Sequence, residues 1–261
     1  MKMRINNQDV KMFNFPDYQP HVDLNKLNLK DISEAEVTCS LTTSNDIIRL
    51  LLVNDVLVRN GIKVNLKIGY LLGARMDRAI DAHQPFTMKV IADILNTAKF
   101  NSIKIFNAHS EVCLSLLNAE NILPFKQIEM VKQVVPNAVI VAPDKGAVKW
   151  LSNMFDLADY VICNKTRVAN TGKITEVEVL EPNKVKGKNC LIVDDICDGG
   201  KTIIEIAQKL KKIGANNISL YVSHGIFSNG YNLENIDKIF TTNTYREKNE
   251  YPPEITVFDA F

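Results

Sequence analysis

The sequence predicts an α/β fold of two domains, each a mostly parallel sheet flanked by helices. Three observations carry this. Short apolar runs alternate with amphipathic stretches of helical length, the pattern of parallel strands joined by crossover helices. Most of those runs open directly into polar loops rich in Asp, Asn, Gly or Arg, the composition expected where an open parallel sheet binds ligands. At 261 residues and 46% hydrophobic, the chain can bury a sizeable core in one large or two small domains.

In chain order, strands are expected at 64–69, 103–106, 138–141, 160–163, 190–193 and 218–222. Helices are expected at 46–58, 87–98, 146–154 and 202–213. The helix after Pro85 has Thr87 as its cap and Val90, Ile91 and Ile94 on one face. The last carries Ile203, Ile206, Leu210 and Ile213 at spacings of three and four, and Gly214 suits a left-handed residue closing it. Near Ile122-Leu123-Pro124 a boundary would leave an N-terminal domain 1–123 and a C-terminal domain 124–261. Turn-forming residues at 170–173 and 181–183 interrupt an alternating pattern, so 168–188 reads as a mobile hairpin or arm.

Thirty-one basic against thirty acidic residues give a formal charge of +1, with no global field toward nucleic acid or an anionic membrane. Five cysteines without a CxxC pair or a zinc spacing read as buried reduced thiols. No N-terminal leader pattern is present, and no run approaches about 18 apolar residues, so a cytoplasmic protein is expected.

The most informative stretch is Val193-Asp194-Asp195-Ile196-Cys197-Asp198-Gly199-Gly200-Lys201-Thr202. The reading is a buried strand ended by Asp194-Asp195, a turn at 198–201 and a helix begun by Thr202. Two glycines let successive amide N–H groups converge on an anion, and the helix N-terminus adds positive potential. A Walker loop needs a glycine five residues before Gly200, where Asp195 stands. Two carboxylates ahead of such a cradle suit the vicinal hydroxyls of a ribose phosphate, whereas the plain alternative is a tight turn with solvated acids.

These residues resemble the ribose-phosphate loop of the phosphoribosyltransferase fold, and other stretches extend the resemblance, from about Phe15 to Thr242, to the ribose-phosphate pyrophosphokinase family. The resemblance implies two similar phosphoribosyltransferase-like domains. It also implies magnesium-dependent transfer of the β,γ-diphosphoryl group of ATP to the anomeric hydroxyl of ribose 5-phosphate, releasing AMP. Asp194, Asp195, Asp198, Gly199, Gly200, Lys201 and Thr202 would then bind the ribose phosphate. Gly73-Ala74-Arg75-Met76-Asp77-Arg78 is similar to the family's ATP loop, which assigns Arg75, Asp77 and Arg78 to ATP; flanking surface charge is the bland reading. Phe106-Asn107-Ala108-His109-Ser110 resembles the segment whose histidine helps bind magnesium, with Asn107 where an acid is usual. Asp144, in Pro143-Asp144-Lys145-Gly146, matches a residue near the ribose and a second metal, and a helix cap is equally sound there.

Cys163-Asn164-Lys165-Thr166-Arg167 resembles the family's catalytic arm, which implies that Lys165 and Arg167 reach the transferring group. Phe15, Asp17 and Gln19 match an adenine pocket contributed by a neighbouring subunit, and so a homodimer or higher homo-oligomer. Tyr18 replaces a glycine of that pattern. In the phosphate loop Gly199 removes a threonine hydroxyl and Lys201 adds a cation, room and charge that could admit a diphosphate ester, although a lysine beside a phosphate loop needs no second phosphate to explain it. Short relatives with similar loops and a segment like His224-Gly225-Ile226-Phe227 are associated with phage-type NAD salvage. ADP-ribose is therefore the alternative acceptor. A phosphoribosyltransferase would leave Arg75–Arg78 and the arm without a role, and a non-catalytic homologue would have lost the arm's cations.

Overall fold

A computed structural model describes residues 3–156, 160–167 and 174–261, with the side chains of 165–167 and 174–176 outside that description. The chain divides into two compact units, Met1–Ile122 and Leu123–Phe261.

The first unit contains β1 (Arg4–Ile5), β2 (Gln8–Asp9), β3 (Lys11–Asn14), β4 (Pro20–Asp23), β5 (Glu34–Leu41), α1 (Ser44–Arg59), β6 (Lys63–Leu71), α2 (Thr87–Asn96), β7 (Ser102–Phe106), α3 (Glu111–Leu117) and β8 (Glu120–Ile122). Its sheet runs β2-β1-β5-β6-β7-β8, with β5 to β8 parallel, while β3 and β4 pair as a separate antiparallel hairpin. Alternation explains β5 and β6: Ala35, Val37, Cys39 and Leu41, and then Val64, Leu66 and Ile68, are all buried. At the start of α1, Thr43 and Asp46 form a capping box, with the Asp46 carboxylate accepting from the Thr43 amide at 2.8 Å.

For α2 the structure corrects the sequence reading. Thr87 is the first helical residue, Phe86 stands at the cap without a side-chain bond, and the buried face is Met88, Ile91, Ala92 and Leu95. Val90 and Ile94 lie outward.

The second unit contains α4 (Phe125–Val134), β9 (Val139–Ala142), α5 (Lys145–Leu151), β10 (Tyr160–Arg167), β11 (Ile174–Val179), α6 (Pro182–Val185), β12 (Cys190–Cys197), α7 (Lys201–Ile213), β13 (Ile218–Gly225), β14 (Lys238–Thr242) and β15 (Ile255–Phe258). Its sheet order is β11-β10-β9-β12-β13-β14-β15, parallel throughout except for β11. Both faces of the central strands are covered: residues 190–193 and the whole of β13 are buried, which is why these segments read as continuous apolar runs.

The β12 strand runs beyond its expected end. Asp194 pairs with Val222, Ile196 with His224 and Cys197 with Gly225, so the ladder carries the acid pair as strand residues rather than ending before them. The helix begins at Lys201 with Gly200 as its N-cap, one residue earlier than the spacing predicts. Gly214 does close it, at φ 103°. β10 and β11 form a hairpin whose connection, 168–173, lies outside the described residues. Among the described residues no helix is long and apolar enough to cross a membrane.

All five cysteines are buried and none is in a disulfide. Burial pushes the thiols of Cys39 and Cys197 up to about 12 from an ordinary 9.0, and Tyr221 and Tyr251 move the same way for the same reason. The unfolded chain therefore loses these protons first as pH rises, so stability holds below pH 9 and declines above it. The expected melting temperature is level from pH 7 to 9, then falls with a cost of up to roughly 1.4 kcal/mol per pH unit for each thiol. A melting curve unchanged at pH 11 would show that these groups titrate as if in water.

Candidate active site

In the second unit the chain runs from β9 out to β10 and returns to place β12 on the other side of β9. The strand order thus reverses between β9 and β12, and the crevice outside the carboxyl ends at such a reversal is where open α/β sheets bind ligands. Asp144 follows β9, and Asp194, Asp195 and the 198–202 loop lie at the end of β12, so the topology brings these residues to one sheet edge.

Asp194, Asp195, Asp198 and Gly199 are half-buried. The Asp195 amide donates to Asp194 Oδ1 at 3.0 Å, which fixes the rotamer of the first acid. Gly200 takes φ 75° directly before α7, and a Cβ there would sit 2.4 Å from Leu233 Cδ2. Only glycine adopts this backbone without strain, and the turn it allows aims the first amides of a 13-residue helix at the edge of the sheet. Gly200→Ala is expected to cost about 1–3 kcal/mol through the left-handed strain and the Leu233 contact. A thermal melt within one degree of the parent would contradict this.

At Gly199 the structure revises the inference of extra room. A Cβ there would meet Asn229 Nδ2 at 2.9 Å, and that amide donates to Gly199 O at 3.2 Å, so the missing side chain makes way for Asn229. Beyond it a groove of about 470 Å³ runs past Lys201, Ile204, Glu205 and Gln208 of α7 to Asn232 and Leu233. Asp144 is a helix cap: its Oδ1 accepts from the Gly146 and Ala147 amides at 2.9 and 3.0 Å. Lys165 and Arg167 lie on β10, paired with Val177 and Ile174, with a register shift between Thr166 and Arg167. Their side chains lie outside the described residues.

In the first unit, Arg75, Asp77 and Arg78 occupy the loop after β6, with both arginines exposed. Gly73 starts it at φ 80°, where a Cβ would lie 2.6 Å from Ile91 Cδ1. Met88 N–H closes on Met76 O at 3.1 Å, so α2 anchors the loop. His109 follows β7 at the same sheet edge and is exposed. Asn107, buried and left-handed at φ 42°, turns the chain there, a conformation that asparagine tolerates better than most residues. Cys113 Sγ reaches Ala74 O at 3.6 Å, which ties the His109 turn and the Arg75–Arg78 loop together.

Phe15, Asp17 and Gln19 form the tip of the β3–β4 hairpin. Asp17 Oδ1 accepts from the Gln19 amide at 3.2 Å and Phe15 N–H bonds Gln19 O at 2.9 Å. Tyr18 takes φ 67°, the left-handed backbone that a glycine adopts freely, and its side chain is 82% exposed. Two features were not read from sequence. Phe13 packs edgewise on both His21 and Phe15, and His21 lies tilted against Phe15, with centroids 5.2–5.4 Å apart. Arg49 of α1 donates to Asn14 Oδ1 at 2.9 Å and holds the hairpin where its tip begins. Only the period-two spacing of 13, 15 and 21 hinted at the first.

Magnesium, the ion the resemblance implies, prefers oxygen ligands and keeps much of its own water. In the first unit the exposed imidazole of His109 fits such an ion as a partial ligand, and in the second unit so does the Asp144 carboxylate with one oxygen already engaged, phosphate oxygens and water supplying the rest in each case.

An acid pair and a glycine cradle at the reversal point of a parallel sheet define a phosphoribosyltransferase-type domain. Residues 119–251 match the family model described as "Phosphoribosyl transferase domain". A ribose-phosphate pyrophosphokinase of Pyrococcus furiosus is 31% identical over 256 residues, covering 93% of this chain and 88% of that protein. One of Mycoplasma genitalium is 28% identical over 263 residues, covering 93% and 77%. Among solved structures, the phosphoribosylpyrophosphate synthetase of Mycobacterium smegmatis shares the fold, with a TM-score of 0.74 at 20% identity over 96% of this chain and 85% of that one. The chain belongs to the ribose-phosphate pyrophosphokinase family and is an enzyme, a transferase of the ribose-phosphate diphosphokinase type.

Proposed function

We propose that this enzyme transfers the β,γ-diphosphoryl group of ATP to the C1 hydroxyl of ribose 5-phosphate, giving phosphoribosyl pyrophosphate and AMP. The observation that carries the proposal is the Asp194-Asp195 pair directly ahead of the left-handed Gly200 and the start of α7. The two carboxylates accept hydrogen bonds from the vicinal ribose hydroxyls, while the amides of Asp198, Gly199, Lys201 and Thr202, set around the turn at Gly200, and the Lys201 ammonium receive the 5′ phosphate. Held in this way, the C1 oxygen attacks the β-phosphorus. Its bond to phosphorus forms as the bond from the bridging oxygen to that phosphorus breaks, AMP leaves with the bridging oxygen, and the hydroxyl proton passes to solvent.

Diphosphoryl transfer needs alignment and charge neutralisation more than a covalent nucleophile. Lys165 and Arg167 would stabilise the charge developing on the transferring group. Arg75 and Arg78 would grip the triphosphate with Asp77 beside them, and Phe15, Asp17 and Gln19 would receive adenine across a homodimer or higher homo-oligomer. One magnesium ion, with His109 among its ligands, would neutralise phosphate charge, and a second, with Asp144 among its ligands, would lie against the ribose. Its soluble substrates suit an enzyme of the cytoplasm.

A second reading, with ADP-ribose as acceptor in NAD salvage, is favoured by the groove beside Lys201. At about 470 Å³ it falls within the size range of small-molecule sites, about 300–1,000 Å³, and it would give a substituent on the 5′ phosphate somewhere to lie. Supplying ribose 5-phosphate and ADP-ribose in separate reactions with Mg-ATP, then weighing the products, distinguishes the two. AMP release with ribose 5-phosphate supports the first reading. Release with ADP-ribose alone replaces it with the second.

A further inference from the structure

Strand β13 ends at Gly225, and the next four residues bring a run of donors onto the phosphate loop. The Ile226 and Phe227 amides donate to Cys197 O at 2.9 and 3.1 Å, and the Ser228 amide to Asp198 O at 3.1 Å. Asn229 Nδ2 completes the run on Gly199 O at 3.2 Å. Three consecutive carbonyls of the loop are thereby held by one neighbouring segment.

A trans peptide is planar, with its N–H directed opposite to its C=O. Drawing the carbonyls of Cys197 and Asp198 toward 226–228 therefore turns the N–H groups of Asp198 and Gly199 to the opposite face of the loop. Asn229 does the same for the peptide joining Gly199 to Gly200, whose amide tempers the raised Cys197 thiol. That bond also steadies the left-handed Gly200 from which α7 starts.

The segment itself is strained. Phe227 has φ 49°, which a bulky residue rarely takes and keeps only where its surroundings over-determine it. Those surroundings are visible: the ring is buried, with Tyr231 and Tyr251 at centroid distances of 5.5 and 6.4 Å. Tyr251 Oη donates to Gly225 O at 2.8 Å. A Cβ at Gly225 would sit 2.3 Å from the Phe227 ring and 2.7 Å from Thr241 Oγ1, so the Phe227 ring folds back over the strand end only because residue 225 is glycine. Strain at Phe227 thus goes into aiming donors at the back of the phosphate loop.

We infer that Asn229, delivered by this strained turn, is a positioning residue for the acceptor's 5′ phosphate, acting by fixing the Gly199–Gly200 turn that sets the amides on either side of it rather than by touching substrate. The inference rests on the sugar-phosphate reading of the loop. Asn229 is exposed, so its replacement leaves the core intact. In the full-length protein, Asn229→Ala and Asn229→Asp, the second keeping shape but losing the donor, are each expected to raise the KM for ribose 5-phosphate about tenfold. The KM for ATP and kcat should stay within twofold and the melting temperature should not change.

Hydrogen exchange of the amides from Asp198 to Thr202, with inorganic phosphate as the probe, supplies the second readout. Phosphate should slow exchange in the parent and do so less in both variants. No slowing in the parent overturns the phosphate-loop reading and this inference with it. Equal slowing in parent and variants, with an unchanged KM for ribose 5-phosphate, overturns the role of Asn229 alone. A fall in kcat at constant KM likewise overturns it, because the side chain would then act on the reacting group.

Discussion

Replacing Lys165 by alanine is expected to lower kcat by two or more orders of magnitude while leaving the KM values for ATP and ribose 5-phosphate nearly unchanged. In the reaction proposed here, charge shifts onto the transferring diphosphoryl group as its bond to AMP breaks. A cation aimed at that charge strengthens between ground and transition state, so its loss appears in kcat rather than KM. One well-placed donor of this kind is worth roughly 3–4 kcal/mol, a few hundredfold in rate. Lys165 lies on β10 opposite Val177, in a hairpin at the margin of the sheet, so alanine there should not disturb folding. Single-turnover kinetics check the point, and a turnover within threefold of the parent would remove Lys165 from the mechanism.

The second large effect is expected at the acceptor. Asp195→Asn keeps the shape of the side chain but replaces an ionised acceptor with a neutral amide. A hydrogen bond to a charged group contributes roughly 1.5–3 kcal/mol. The expected loss in kcat/KM for ribose 5-phosphate is therefore about 10- to 150-fold, carried mainly by KM, with ATP binding unaltered. Asp195 is half-buried at the end of the β12 ladder, beyond the apolar core of that strand, so the melting temperature should hold. A variant with parental kinetics would reduce the acid pair to a solvated strand end.

The α/β class, the acid pair, the glycine cradle and the cap at Asp144 were legible because each is a local signal: an apolar run, a turn residue, a spacing. Ends of elements were not. β12 runs past Asp194-Asp195 because its neighbour β13 pairs with it as far as Gly225, and a ladder bond outweighs the poor strand propensity of aspartate. The face of α2 was misjudged by choosing Val90 and Ile94 over Met88 and Leu95, since apolar residues surround most of that helix and only packing selects the buried side. β5 and α4 escaped notice although both are amphipathic, one beside polar turns and one interrupted by Lys and Glu. At Tyr18 a glycine-type backbone persists under a tyrosine, a conformation that residue identity alone argues against. The contact of Asn229 with Gly199 joins residues thirty apart in sequence, and it changed the meaning of Gly199 from spare room to a seat for a neighbouring side chain.

The central claim is that two phosphates move together onto the anomeric carbon's oxygen. ATP labelled at the β-phosphorus, incubated with magnesium, the enzyme and ribose 5-phosphate, tests this directly when label and nucleotide are followed in one reaction. The account predicts that the β label leaves with the sugar, one AMP forming for each sugar diphosphorylated. Label retained on ADP, or no transfer of label to the sugar, would contradict it.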